Sequence, residues 1–230
     1  MKNILLIPSF IFILVSISFA QKAETIKVKT AEYPDFVAKN QYQFPAYTRA
    51  KILFKNGDSG SARINFNYFR NIVKYMDPSG TALEITNPQD VAYLSTATDT
   101  IFSDNGYYHW VASSGAARLA SATTFKLVSI ATIGAFGLSS PAVDARGVSV
   151  IIGEGAWNFL QPNQEITISK VTTFYIGRIN GNKNTFVPVN KKNLSKLFPK
   201  KDIENFMREK SINLNKVEDL VDLMVFISNG

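Results

Sequence analysis

The stretch Arg49-Ala-Lys-Ile-Leu-Phe-Lys-Asn-Gly-Asp-Ser-Gly-Ser-Ala-Arg-Ile-Asn-Phe-Asn-Tyr68 decides the fold class. Ala50, Ile52 and Phe54 alternate with Arg49, Lys51 and Lys55, and only Leu53 departs from the period. Asn56-Gly57-Asp58-Ser59-Gly60 is a turn signal, because Asn and Gly tolerate positive φ. Ala62, Ile64, Phe66 and Tyr68 then alternate with Arg63, Asn65 and Asn67. Two runs of period two around such a turn predict a β-hairpin, each strand with one apolar and one polar face.

The same reading extends in both directions. Thr25–Lys29 alternates with period two, and Tyr33-Pro34-Asp35 with Phe44-Pro45 reads as an irregular link to the hairpin. Downstream, Asp77-Pro78-Ser79-Gly80 separates Ile72–Met76 from Thr81–Ile85, and Asn87–Asp90 is a turn or a short helical turn before Val91–Leu94. Ser103–Gly106 joins Thr98–Phe102 to Tyr107–Ala112 as a second hairpin. Leu119–Ile133, rich in Ala, Ser, Thr and Val, fits strand or helix. Val148–Ile152 reads as a short strand and Glu165–Ile176 as a long one. Strands at this spacing predict an antiparallel meander that curls into a sandwich or a partly open barrel.

After Pro188 the period becomes 3.6. Leu194, Leu197 and Phe198 make one apolar stripe, which Pro199 ends, and Ile203, Phe206 and Met207 make a second. Val217, Leu220, Val221, Met224 and Ile227 make a third, with Asn215 and Glu218 spaced as a capping pair. Helices this short need a surface to dock on. The fold class is therefore α+β: a mainly antiparallel β domain over residues 21–187, and a C-terminal α-helical cap over 188–230 docked on the sheet.

The first 20 residues belong to neither part. Lys2 supplies a positive charge, Ile4–Phe19 is almost wholly apolar, and Ser18-Phe19-Ala20 places small residues around a cut before Gln21. These are the three parts of a cleavable secretory signal. An apolar run of that length is short for a membrane-spanning helix, and Pro141, Asp144 and Arg146 argue against a span later in the chain. No membrane crossing is expected after cleavage. The chain is expected to be exported, to the periplasm, the outer membrane or the exterior. It has no cysteine, so neither a disulfide nor a lipidated cysteine occurs.

The formal net charge is +7, and it is unevenly spread. Arg178 to Lys210 holds nine basic residues against Asp202, Glu204 and Glu209, which is the whole net charge of the chain after the signal. Lys191, Lys192 and Lys196 flank the Leu194/Leu197/Phe198 stripe, and Lys200 and Lys201 open the next helix, against its dipole. These five are the candidate contacts to an anionic envelope component or an acidic protein partner. Export argues against nucleic acid.

Three segments, taken together, resemble a family of uncharacterised exported bacterial proteins. They are Gly134-Ala-Phe-Gly-Leu-Ser-Ser-Pro141, Ile166-Thr-Ile-Ser-Lys-Val-Thr-Thr-Phe-Tyr-Ile-Gly177 and Phe186-Val-Pro-Val-Asn-Lys-Lys-Asn-Leu-Ser-Lys-Leu-Phe-Pro199, the last running on through the helices to Ile227. Lys51–Phe66 fits the same pattern loosely. The resemblance implies an envelope or secreted location and this β-then-α architecture. It implies no activity and no catalytic residue.

The residues themselves assign no catalytic set, metal site or cofactor. His109, within Tyr107-Tyr108-His109-Trp110, is the only histidine, whereas an imidazole-built zinc site uses two or three with or without thiolates. A serine triad would need His109 as its base, and no G-x-S-x-G elbow accompanies it. On a strand His109 shares a face with Tyr107 and Val111, opposite Tyr108 and Trp110. Gly153-Glu154-Gly155 lacks the third glycine of a dinucleotide fingerprint. Asp99, Asp104, Asp144, Glu154 and Glu165 are the acids from which a glycan hydrolase would draw a carboxylate pair. Tyr107, Tyr108, Trp110, Trp157 and Phe159 are either core or an aromatic platform. The reading is a non-catalytic binding or structural module of the envelope or exterior, with the carboxylate hydrolase as the alternative. The first consequence concerns the terminus: peptide mass spectrometry of the exported protein should find Gln21 first, and an intact Met1–Lys22 segment there would refute signal cleavage.

Overall fold

The computed structural model describes residues 24–104, 106–134, 140, 143–144, 160–180, 183–199 and 201–228. The signal segment, the Val148–Ile152 strand, Gly153–Gly155, Trp157, Phe159 and Lys200 lie outside the described residues. The described residues fold as α+β, with antiparallel sheet as the largest part and helices at the C-terminus. In chain order the strands are β1 (Glu24–Lys29), β2 (Thr48–Phe54), β3 (Ser59–Asn67), β4 (Ile72–Met76), β5 (Ala82–Glu84) and β6 (Val91–Ser95). They continue with β7 (Thr100–Ser103), β8 (Tyr107–Ser114), β9 (Ala117–Thr132), β10 (Val143–Asp144), β11 (Gln164–Asn180) and β12 (Lys183–Pro188). They form one sheet in the order β1-β11-β9-β8-β7-β6-β2-β3-β4-β5, with β10 beside β9 and β12 beside β11.

The decisive hairpin forms as read: Ala50 pairs with Ala62 and Ile52 with Gly60. Its inward side chains Ala50, Ile64 and Phe66 are fully buried. Leu119–Ile133 is strand, not helix, and lies mostly within β9, which pairs with β11 over nearly their whole lengths. The sheet rolls on itself. Phe66 on β3 meets His109 and Tyr107 on β8 with ring centroids 4.8 and 6.5 Å apart, although β2, β6 and β7 stand between those strands. The roll encloses Ile64, Phe66, Val73, Val91, Leu94, Ile101 and Tyr107. A bulge between Trp110 and Ala112 interrupts the alternation on β8, and Val111 and Ala112 both pack against the cluster around Leu119, on the side of the sheet that His109 faces.

A second cluster lies under a helix that the sequence reading misses. Tyr33–Asn40 is α1, not an irregular link. Pro34 sits in its first turn, where a missing N–H costs nothing and the fixed φ is already helical. Tyr33 and Val37 are buried and Phe36 half-buried, a helical spacing of three and four. They pack on Val28, Phe69, Phe125, Ile166 and Ile168.

The third cluster docks the C-terminal helices α2 (Lys191–Leu197), α3 (Ile203–Glu209) and α4 (Val217–Ser228) on Ala117, Leu119, Phe174 and Ile176 of β9 and β11. The side chain of Asn190 accepts from Asn193 N at 2.9 Å to cap α2, and that of Asp202 from Asn205 N at 3.1 Å to cap α3. The entry to α4 differs from the expected Asn215–Glu218 pair. Asn213 organises it, its side chain accepting from Asn215 N and its own N–H donating to the Asp219 carboxylate at 2.7 Å. The buried face of α4 is Leu220, Leu223, Met224 and Ile227, and Val217 is exposed. The helix end closes tightly on the β8–β9 turn. Ser228 and Ser114 hydroxyls hydrogen-bond there, and a Cβ at Gly115, where φ is +53°, would lie 3.1 Å from the Ser228 Cβ. No described helix is long and apolar enough to cross a membrane.

Leu220 is 2% exposed, in the centre of the docked face. Leu220→Ala should cost about 2–5 kcal/mol in urea unfolding. Val225→Ala, at a side chain 45% exposed, should stay within about 0.5 kcal/mol. Equal small effects at both positions would mean that α4 does not dock.

Candidate functional site

The roll is filled at its centre and open at one end. There Ile52 and Phe54 of β2, Ala62 of β3, Tyr75 of β4, Leu83 of β5 and Ile85 line a cleft of about 970 Å³. All of these are inward positions by register, since Ile52 pairs with Leu94, Ile64 with Tyr75 and Tyr75 with Leu83. The residues that close the core have run out at this end: β5 is only three residues long, and the link through Pro88–Asp90 returns the chain to β6. Lys55 N donates to Asp90 O at 2.8 Å and ties that link to the hairpin. The rim is polar, with Lys55, Asp58, Glu84, Asn87 and Asp90. Leu83 is 39% exposed although it faces inward, because the cleft opens in front of it.

Deeper in the fold lies a polar cluster. His109 Nδ1 donates to Asp99 Oδ2 at 2.6 Å, and Gln43 Nε2 donates to the same oxygen at 2.7 Å. The side chains of His109 and Asp99 are 13% and 14% exposed. The hairpin register makes the pair: Ile101 lies opposite His109, and Asp99 is two residues before Ile101. The edge of Phe66 fixes the imidazole from one side. Burial pushes the Asp99 carboxyl up, but the bonds from His109 and Gln43 and the charge of His109 outweigh it, so the group lies below its ordinary range. Burial, with the charge of Asp99 second, pushes the Tyr68 hydroxyl up. Tyr107 is pushed up by burial, with Glu84 adding to it.

This arrangement orients an imidazole but does not complete a catalytic set. His109 Nε2 is buried and bonds no described protein atom. A general base works on a nucleophile within hydrogen-bond reach, and no described hydroxyl occupies that place. None of Asp99, His109 and Gln43 lines the cleft.

The sequence candidates are dispersed. Of the acids, Asp99 joins His109, and Glu165 pairs with Lys27 at 3.2 Å. Asp104 sits in the β7–β8 turn, with its N–H on Gly106 O. The Asp144 side chain and Glu154 lie outside the described residues. Of the lysines, Lys191 and Lys192 are exposed in the first turn of α2 and Lys196 is exposed in its last. Lys201 is half-buried, with Nζ 5.6 Å from the Phe226 ring centroid and 3.4 Å from Phe226 O. Tyr108 and Trp110 lie on the opposite face of the sheet from His109, packed around Phe102 with Tyr175 and Phe186. Tyr107 is a core residue. The cleft itself escapes sequence reading. The available signal is a surplus of inward apolar positions on β2 to β5 over the side chains able to meet them.

No family model, curated protein or solved structure matches the chain.

The cluster carries a pH signature. A carboxyl lowered by folding adds stability that is whole above its unfolded value of about 3.9 and is lost as pH falls through the lower folded value. Asp99→Asn should therefore cost about 1–3 kcal/mol at pH 7, and the gap to the unsubstituted protein should narrow toward about pH 2–3. Urea midpoints across that range check it, and a gap independent of pH would show that the charge of Asp99 plays no part.

Proposed function

We propose that this chain is an exported, non-catalytic binding module of the bacterial cell envelope or its exterior, and that the cleft at the end of the roll is its ligand site. Residues 1–20 support the location. The observation that carries the binding reading is the cleft of about 970 Å³, apolar in its walls and polar at its rim. Pockets that take small molecules have this size and this division of labour. An apolar group fills the walls, and a polar end of the same ligand stays at the mouth.

The hydrolase reading has less support. A glycosidic acid needs a carboxyl kept protonated by a desolvated setting, opposite a second carboxylate. The cleft carboxylates Asp58, Glu84 and Asp90 are all exposed. Asp58 accepts from the Asn56 amide at 2.7 Å, and Glu84 accepts from Arg70 at 2.9 Å.

Titration with N-phenyl-1-naphthylamine, a neutral fluorophore that brightens in apolar surroundings, tests the site. The protein should bind it, and Ala62→Trp, which fills the wall, should weaken binding about ten-fold or more. Leu83→Asp reaches the same wall from an exposed position and should act alike without threatening the core. Binding unchanged in both variants, with melting curves intact, would exclude the cleft.

A further inference from the structure

A second surface, on the helices, has a different chemistry. Between α3 and α4 runs a groove of about 480 Å³ lined by Lys201, Phe206, Lys210, Asp222, Val225 and Phe226. Its floor is a stacked pair: the rings of Phe206 and Phe226 lie 4.1 Å apart at 9°. Val225 beside them is the most exposed large apolar side chain described. Among the described residues two ammonium groups border this floor against one carboxylate.

Lys201 is the informative residue. Its Nζ is held over the Phe226 ring and against the Phe226 carbonyl, in the last turn of α4. The helix dipole and the ring face both favour a cation there. Yet among the described residues neither Lys201 nor Lys210 has a carboxylate within 4.0 Å. A half-buried ammonium that has lost water and gained only neutral partners retains a strong attraction for an anion. Apolar rings, an exposed valine, the half-buried Lys201 and the exposed Lys210 in one groove, against the single Asp222 among the described lining, match an anionic amphiphile on both counts.

We propose that this groove docks the protein on a lipid surface bearing anionic phosphate headgroups, with Lys201 and Lys210 at the phosphates and Val225 and Phe226 at the acyl boundary. Interfacial binding combines apolar insertion and headgroup attraction in this way. The surface is separate from the cleft and does not depend on it. Lys191, Lys192 and Lys196 lie outside the groove, so they add only long-range attraction, which salt screens.

The test is cosedimentation of the signal-free chain with phosphatidylcholine vesicles, with and without about 30% phosphatidylglycerol, at about 50 mM and about 500 mM salt. Binding should need the anionic lipid and fall at high salt. Lys201→Gln with Lys210→Gln should reduce it about 10- to 30-fold, and Lys201→Arg with Lys210→Arg should retain it. Val225→Asp should also abolish it, whereas Leu83→Asp in the cleft should not. Equal sedimentation with neutral vesicles, no sedimentation at all, or full binding by the double Gln variant would overturn the proposal. Calorimetric binding of inorganic phosphate without any vesicle binding would overturn it too, in favour of a soluble anion.

Discussion

The antiparallel ladder between β9 and β11 is the interaction on which everything else rests. It runs from Gln164 opposite Thr132 to Arg178 opposite Ala117. One face of this ladder meets both helical layers. Phe125, Ile166 and Ile168 receive α1, while Leu119, Ala117, Phe174 and Ile176 receive α2 to α4. The first part of β9 also carries β8, and through it the roll of β2 to β7. With no disulfide available, a chain of this size must hold its layers together by burial alone. A long, twisted pair shared by separate clusters does so, because unpairing it would expose them together.

How legible each part was follows from how one-sided its burial is. The Arg49–Tyr68 hairpin is wet on one face at Arg49, Lys51, Ser61 and Arg63, so its alternation shows in the sequence, although Asn65 and Asn67 on that face are buried. The first part of β9 shows no such period, because Ala117–Ala120 is covered on both faces, whereas Lys126, Val128 and Thr132 further along are exposed. Leu119 points to the helices and is 1% exposed, while Ala120 points the other way, between Trp110 and Tyr175 in register, and is 0% exposed. A strand covered on both sides loses its period, and small residues fit where aromatic rings lie over it. Helix α1 was hidden by Pro34, which serves equally as a link or as a first-turn residue. Most of the α4 stripe is legible: Leu220, Met224 and Ile227 are buried and Val221 packs beside them, whereas Val217 is exposed and Leu223 joins the buried face.

The candidate sites were less legible than the fold, for a related reason. Local alternation reports which way a side chain points, not whether anything meets it. Ile52 and Phe54 read as an apolar face and do point inward, as does Tyr75. They border a cleft because β5 stops after three residues and the chain returns through a short turn. The Asp99–His109 pair, by contrast, follows from hairpin register once Ser103 and Tyr107 are opposite each other. What register alone could not supply was Gln43, which arrives from the distant segment after α1.

Chemistry and access are separated in this molecule. The oriented imidazole sits against Phe66 within the packed part of the roll, with its outer nitrogen buried. The space able to admit a ligand lies elsewhere, behind apolar walls and a rim of solvated charges. The hydrogen bonds of His109 and Gln43 to Asp99 fix how β8, the segment before β7 and the segment before β2 meet, since removing either donor would leave a half-buried carboxylate short of a partner. The polar cluster thus shapes the roll, and the apolar cleft occupies the roll's open end.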